Sequence, residues 1–344
     1  MIRNEELERA GEMIDSARSI SSNAFELAVL DAQMQQALGD VKVALESYRA
    51  IVQKYPQADS AKIRYAHLLS RAGQLDEWRT LVESLERSPD PQIASQAQKM
   101  LAQLFMSRDM LPEAEQYSDK VLRADPFNIE VMLLKAQLEA KRNKLPEALK
   151  LVDRALAIQP NHLGALQLKA AGLSMGAEPK GAIAVYRQRA ELQPENAQAL
   201  ALIGQLHFQQ GEFTACVESC TEALKRKPDA QLAANRRVLA FVELGDPDKA
   251  FASIAPIYAQ APNLPYLADA YGWALIQQGK VEEALPILEQ AGKQLRGLLM
   301  SYHLGAAYVK AGDVEKARTS LKAALKFPGS FPGADRASAL LDGL

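Results

Sequence analysis

The sequence predicts an all-α solenoid of about nine stacked helical hairpins, with a half-repeat before them and a capping helix after. Three observations carry this. Prolines recur at Pro126, Pro160, Pro194, Pro228 and Pro262, always 34 residues apart, each just past a helix end. No strand-like alternation lies between them, and a fixed period of that length marks stacked helix-turn-helix units. Counting the period proline as position 32, a small residue recurs at position 8, a turn glycine at 15 and alanine at 20, with apolar residues at 24 and 27. Positions 8 and 20 are where the two helices of a hairpin cross, and small side chains there let the backbones approach.

Composition narrows the function. A chain of 344 residues would ordinarily form two or three domains, but a solenoid grows by adding neighbours, so repetition removes that inference. Forty Lys and Arg against 42 Asp and Glu leave no basic field for nucleic acid, which is not an expected partner. Apolar runs are a handful of residues, far short of the roughly 20 that span a bilayer, so no transmembrane segment is expected. Met1 leads into Arg3, Asn4, Glu5 and Glu6, which is no apolar leader. Cys216 and Cys220, four residues apart at inward positions and with no third cysteine, read as small core residues and not as a metal or redox pair.

Taken in order, residues 1–24 hold half a unit, with Ala10, Ile14 and Ala17 fitting positions 20, 24 and 27. A second helix without its first would expose an apolar face, so Met1 is expected to begin a fragment of a longer array. Units 1 and 2 span 25–94. The first matches closely at Ala32, Gly39, Ala44, Tyr48 and Pro56; the second keeps Ala66 and Gly73 but has Trp78 at position 20. An indole at a close helix crossing forces the helices apart or sits over a gap, at a cost of about 1–3 kcal/mol in a fixed geometry. Two extra residues follow, and 86–93 is expected to be an altered seam, bent or mobile. Units 3 to 9 span 95–331. Their crossing pairs run Ala102 with Ala114, Ala136 with Ala148, Ala170 with Ala182, Gly204 with Cys216, Val238 with Ala250, Gly272 with Ala284 and Gly305 with Ala317. Pro112, Pro146, Pro179 and Pro247 sit where a second helix starts and a missing donor is harmless; Asp246 is a plausible N-cap. Pro256 and Pro286 fall inside second helices and should kink them or shift their hydrogen bonds. Residues 332–344 can cover the last apolar face.

This pattern resembles the tetratricopeptide repeat over nearly the whole chain. The resemblance implies a right-handed α-α superhelix, one continuous solenoid whose first helices line a concave groove. Three strings, Asp269 to Gly279, Glu283 to Glu289 and Tyr302 to Tyr308, are similar to the closing repeats of bacterial envelope lipoproteins of exosortase (PEP-CTERM) and exopolysaccharide-export systems. That similarity implies a periplasmic scaffold tethered to the outer membrane. The family's clamp for a terminal carboxylate needs Lys and Asn at positions 5 and 9, Asn at 6 of the next unit, then Lys and Arg at 2 and 6. Ile63, His67 and Met100 depart from it, so chaperone-tail binding of that type is not expected.

No reaction centre is expected, and no cofactor. Gly172-Leu-Ser174-Met-Gly176 spells a nucleophile motif, but it closes a helix where the chemistry needs a strand-to-helix turn. His67, His162, His207 and His303 fall in four different units without ligand spacing, and read as surface or groove residues. Acidic Glu282 and Glu283 suit a helix N-terminus.

What remains is the groove. Its candidate lining is Gln33, Arg64, His67, Arg71, Lys99, Gln103, Gln137 and Gln205, ending in an aromatic stretch of Tyr266, Trp273 and Tyr302 near Asp269. Amides satisfy backbone groups and flat rings cover apolar ones, which suits an extended peptide or a protein segment. Trp273 also suits packing between the eighth and ninth units. The leading expectation is a non-enzymatic protein-interaction scaffold, its partners including polysaccharide-export components. The alternatives are a cytoplasmic peptide-binding adaptor and the recognition portion of a larger enzyme such as a glycosyltransferase.

Overall fold

The computed structural model describes residues 24–326, 331 and 333–344. The expected half-repeat over 1–24 therefore lies, apart from Ala24, outside the described residues. Among those described there are 19 helices and no strand, an all-α fold of the superhelical-repeat class. The chain divides into two compact units, Met1–Pro160 and Asn161–Leu344.

The first unit holds four hairpins: α1 (Ala24–Leu38) with α2 (Val41–Lys54), α3 (Asp59–Arg71) with α4 (Leu75–Leu85), α5 (Pro91–Ser107) with α6 (Leu111–Ala124), and α7 (Ile129–Lys141) with α8 (Leu145–Ile158). The second holds five: α9 (Leu163–Met175) with α10 (Pro179–Leu192), α11 (Gln198–Gln209) with α12 (Phe213–Arg226), α13 (Gln231–Glu243) with α14 (Pro247–Gln260), α15 (Pro265–Gln277) with α16 (Val281–Gln294), and α17 (Leu298–Ala311) with α18 (Val314–Ala324). The final helix, α19 (Ala334–Asp342), packs on α17 and α18. First helices of successive hairpins approach one another from α3 to α5 to α7 in the first unit and from α11 to α13, α15 and α17 in the second, while no two second helices come as close. First helices therefore lie on the inner side of each stack.

The crossing residues are buried at all nine hairpins, from Ala32 and Ala44 to Gly305 and Ala317. At Gly204 a β-carbon would stand 2.4 Å from the Cys220 sulfur, and at Gly305 it would stand 2.7 Å from the Leu321 side chain. Cys216 and Cys220 are fully buried, as expected, with their sulfurs 3.9 Å apart. Position 15 is left-handed in every hairpin. Glycine fills it six times, but in the third, fourth and fifth hairpins Asp109, Asn143 and Ala177 adopt φ of 58–59°. The turn thus survives without glycine, at a strain of about 1–2 kcal/mol for a residue with a β-carbon.

Trp78 has the expected effect on its hairpin. Helices α3 and α4 approach less than the two helices of any other hairpin, although α18, equally short and with Ala317 at the crossing, packs most closely of all. The two extra residues after α4 become the first turn of α5, which starts at Pro91 behind an Asp90 cap (Gln92 N to Asp90 Oδ1, 2.8 Å) and is the longest of the described helices. The 86–93 segment carries its own ties. Ser88 Oγ donates to Asp59 (2.5 Å), and Glu86 accepts from Lys120 (2.6 Å) and Tyr117 (3.2 Å). Asp246 caps α14 through Lys249 N (3.0 Å), and Pro112, Pro146, Pro179 and Pro247 occupy first-turn positions. Pro256 lies inside α14, where it leaves the Ala252 carbonyl without its helical donor; Arg237 donates to the adjoining Ser253 carbonyl at 2.9 Å.

A polar staple joins the first two hairpins. Arg49 donates to Glu77 (2.6 and 3.1 Å) and to the Tyr65 hydroxyl (3.0 Å), and Tyr65 donates to Glu77 (2.5 Å). Burial, with the hydrogen bond to Glu77 second, pushes the Tyr65 phenol up to about 12. The Arg49 hydrogen bonds hold the Glu77 carboxyl below its ordinary 4.5, against an opposing effect of burial. Both side chains of the ion pair are about two-fifths exposed, which limits its worth to about 0–1 kcal/mol.

Two outcomes follow from these local features. Glu77→Gln lowers the melting temperature by roughly 1–3 °C near neutral pH. Because the folded carboxyl titrates below its free value, this difference is present above about pH 4.5 and vanishes as pH falls through the lower folded value. Thermal melts of both proteins from pH 7 to 3 check the sign. At the exposed Ala177, Ala177→Gly relieves the left-handed strain at some entropic cost and raises stability by roughly 0.5–1 kcal/mol, measured by urea unfolding.

Candidate functional site

On the inner face of the first unit, position 9 of four successive first helices carries Gln33, His67, Gln103 and Gln137. His67, Gln103 and Gln137 are exposed and Gln33 is half-buried. Each follows its predecessor by one repeat, so helix periodicity alone sets them in a row. Arg64 and Arg71 stand exposed beside His67 on α3. With its amide oxygen turned toward α3, Gln33 accepts from Arg64 Nε (3.3 Å) and Nη1 (3.0 Å). Lys99 on α5 pairs with Glu130 on α7 at 2.8 Å. Arg64 and Lys99 therefore cross-link neighbouring first helices, whereas Arg71, His67 and Gln103 face outward beside them.

A pocket of about 330 Å³ opens between α3 and α5. His67, Gln103 and Arg108 line it, with Met100 and Leu104 as its apolar wall and Trp78 behind them. Ser70 and Ser107 complete the polar lining. Trp78 is 3% exposed, and its indole N–H has no acceptor. Sequence reasoning singled out Trp78 only as a packing fault and passed over Arg108 altogether. The signal was present, since a large residue at a crossing must open space beside it.

The apolar first-helix residues Ile63, Met106, Leu133 and Phe208 are buried and offer no surface to a partner. Gln205 is half-buried on α11. The aromatic stretch in the second unit is likewise mostly closed. Tyr266 is 56% exposed, but Trp273 and Tyr302 are 3% and 4% exposed and cannot meet a partner as the sequence suggested. Trp273 stacks on His303 (ring centroids 4.2 Å apart) and lies against Tyr302, so its packing role is the one observed. His303, expected at the surface or groove, is fully buried and shares a 2.7 Å hydrogen bond with the buried Asp269.

The cover over Tyr302 is the chain's own C-terminal segment. Phe331 packs on the Tyr302 ring (5.9 Å), and Gly333 approaches so closely that a β-carbon would stand 2.6 Å from it. Gly333 also has φ of 99°, a conformation that a side chain resists. From α19, Arg336 reaches Glu243 at the end of α13 with two hydrogen bonds of 2.9 and 2.7 Å. No repeat period predicts a contact between residues 93 apart.

The chemistry of the other motifs is structural. Ser174 lies in the last turn of α9 and donates to the Ala170 carbonyl at 2.8 Å; Gly172 is helical and Gly176 has φ of −77°, so neither makes the left-handed turn. The left-handed residue of that turn is Ala177. His162 caps α9 through Ala165 N (3.1 Å), and His207 meets Glu212 at 2.5 Å. A hydrogen bond with Cys216 and burial push the Cys220 thiol up, as suits a core residue. Among the described residues, no three His, Cys, Asp or Glu side chains gather as a metal site needs, and no helix is long and apolar enough to cross a membrane.

Family models of the tetratricopeptide repeat match residues 32–58, 99–162, 197–230 and 270–335, together more than half of the sequence. The chain belongs to the tetratricopeptide-repeat family. Such repeats are generally protein-interaction scaffolds that bind proteins or peptides. Among solved structures the chain is similar to a tetratricopeptide repeat protein from Parabacteroides merdae, with 17% identity, a TM-score of 0.57, and 72% of this chain and 97% of that one covered. It is also similar to the APC/C hetero-tetramer Cut9-Hcn1, with 15% identity, a TM-score of 0.50, and 92% and 75% covered. At these identities the likeness is one of fold. No curated protein matches the sequence significantly.

The C-terminal cover makes a graded prediction. Gly333→Ala introduces both a strained φ and a clash with Tyr302, and destabilises by about 1–3 kcal/mol. Arg336→Ala removes an ion pair whose arginine side chain is 54% exposed and whose Glu243 side chain is 20% exposed, and costs about 0–1 kcal/mol. Denaturant midpoints of the two variants should fall in that order.

Proposed function

We propose that this tetratricopeptide-repeat chain is a non-enzymatic scaffold that holds an extended segment of a partner protein against the first-helix face of residues 24–141. One observation carries the reading: Gln33, His67, Gln103 and Gln137 repeat at one helix position on four successive first helices, with three of them exposed and Arg71 alongside. Evenly spaced amide and imidazole groups suit the backbone of an extended peptide, which presents a donor and an acceptor at every residue. The C-terminal aromatic stretch, covered by its own chain, is no part of this surface.

For the setting, the proposal is a bacterial envelope assembly for exopolysaccharide or exosortase-linked export, with the full-length protein periplasmic and tethered to the outer membrane. Support comes from the similarity of the strings at Asp269, Glu283 and Tyr302 to closing repeats of such lipoproteins. Cell fractionation tests that setting separately, since recovery in the cytosol alone rejects it.

The surface is tested by combining His67→Ala, Arg71→Glu and Gln103→Ala, which avoid the inter-helix bonds of Arg64 and Lys99. Proteins captured by the wild type from a lysate of its source cells should fall by roughly tenfold with the variant, while helical content by circular dichroism stays the same. Undiminished capture rejects the assignment.

A further inference from the structure

We infer that the pocket between α3 and α5 receives the side-chain carboxylate of a partner peptide, with the Arg108 guanidinium as its charged donor. The inference rests on reading the first-helix face as a peptide-binding surface and names the chemistry of one residue in that peptide.

The pocket follows from the one crossing in nine that breaks the small-residue rule at position 20. Eight hairpins have Ala or Cys there; the second has Trp78, and its two helices stand further apart. The space so opened, about 330 Å³, suits one side chain and no element of secondary structure. That side chain must offer an acceptor, because Arg108, Gln103 and Ser70 line the pocket with donors. The lining decides which acceptor. Arg108 supplies a full positive charge, His67 and Ser70 supply further polar groups, and no Asp or Glu contributes to the wall. A charged acceptor gains hydrogen bonds roughly twice as strong as a neutral one. Met100 and Leu104 give the methylene groups an apolar wall, which favours glutamate over aspartate. This is not the terminal-carboxylate clamp, whose residues are absent at Ile63 and Met100.

The test is selection of a random-peptide phage library, displayed through the peptides' C-termini so that no free terminal carboxylate is offered, on the full chain. The expected result is enriched peptides sharing one Glu or Asp, a preference lost on Arg108→Glu and weakened on Arg108→Gln. In a synthetic, amidated copy of the leading peptide, changing that Glu to Gln should weaken binding by about tenfold. The same copy should shift the Trp78 indole N–H resonance, because Trp78 lines the pocket; the resonance is assigned by its absence in Trp78→Phe. Peptides with no shared carboxylate, an acidic preference that survives both Arg108 variants, or no enrichment at all overturns the inference. Peptides enriched without a carboxylate leave the peptide-binding reading standing, whereas undiminished capture by the triple variant sinks that reading on its own. Should Trp78→Phe lose helical content, the variants at the exposed Arg108 decide between these outcomes.

Discussion

Everything in each stack depends on how closely two helices can cross. Position 8 is Ala or Gly in eight hairpins, and at Gly204, Gly272 and Gly305 an added β-carbon would lie within 2.4–2.7 Å of a side chain on the second helix. Tight crossings present a regular apolar flank to the next hairpin, and regular flanks are what let identical bricks stack. The departures show the constraint at work. Trp78 and Val238 are the two bulky crossing residues, and their hairpins are among the three whose helices approach least.

That constraint is written at fixed spacing, which is why so much of the fold was legible. Proline period, crossing residues and the position-15 turn gave the register of all nine hairpins, including those where Asp109, Asn143 and Ala177 stand in for glycine. First-turn prolines and the Asp246 cap were readable for the same reason: each acts within one turn of its own helix. The seam was legible as an insertion but not as an outcome, since two extra residues can loop out or lengthen a helix, and Asp90 with Pro91 decided for the helix.

The site was half legible. Periodicity tells which face a residue occupies, so the row from Gln33 to Gln137 was found. It does not tell what lies over that face. Trp273 and Tyr302 occupy inner positions as expected, yet Phe331 and Gly333 fold back onto Tyr302, and Trp273 is sealed by stacking on His303. The cover on Tyr302 comes from a segment beyond the last repeat, where no spacing rule reaches. Trp78 is the converse case: a residue that breaks the rule for packing is the one beside which a pocket opens.

The link from Arg336 to Glu243 has a wider consequence. In an array held by nearest neighbours alone, the end hairpin can fray without disturbing those further in. Here the terminal helix also grips a hairpin two places back, so α15 to α18 are enclosed between the two ends of one bond. Partial opening of the last hairpin also breaks these bonds, so its fraying is coupled to α13 by the worth of one ion pair, about 0–1 kcal/mol.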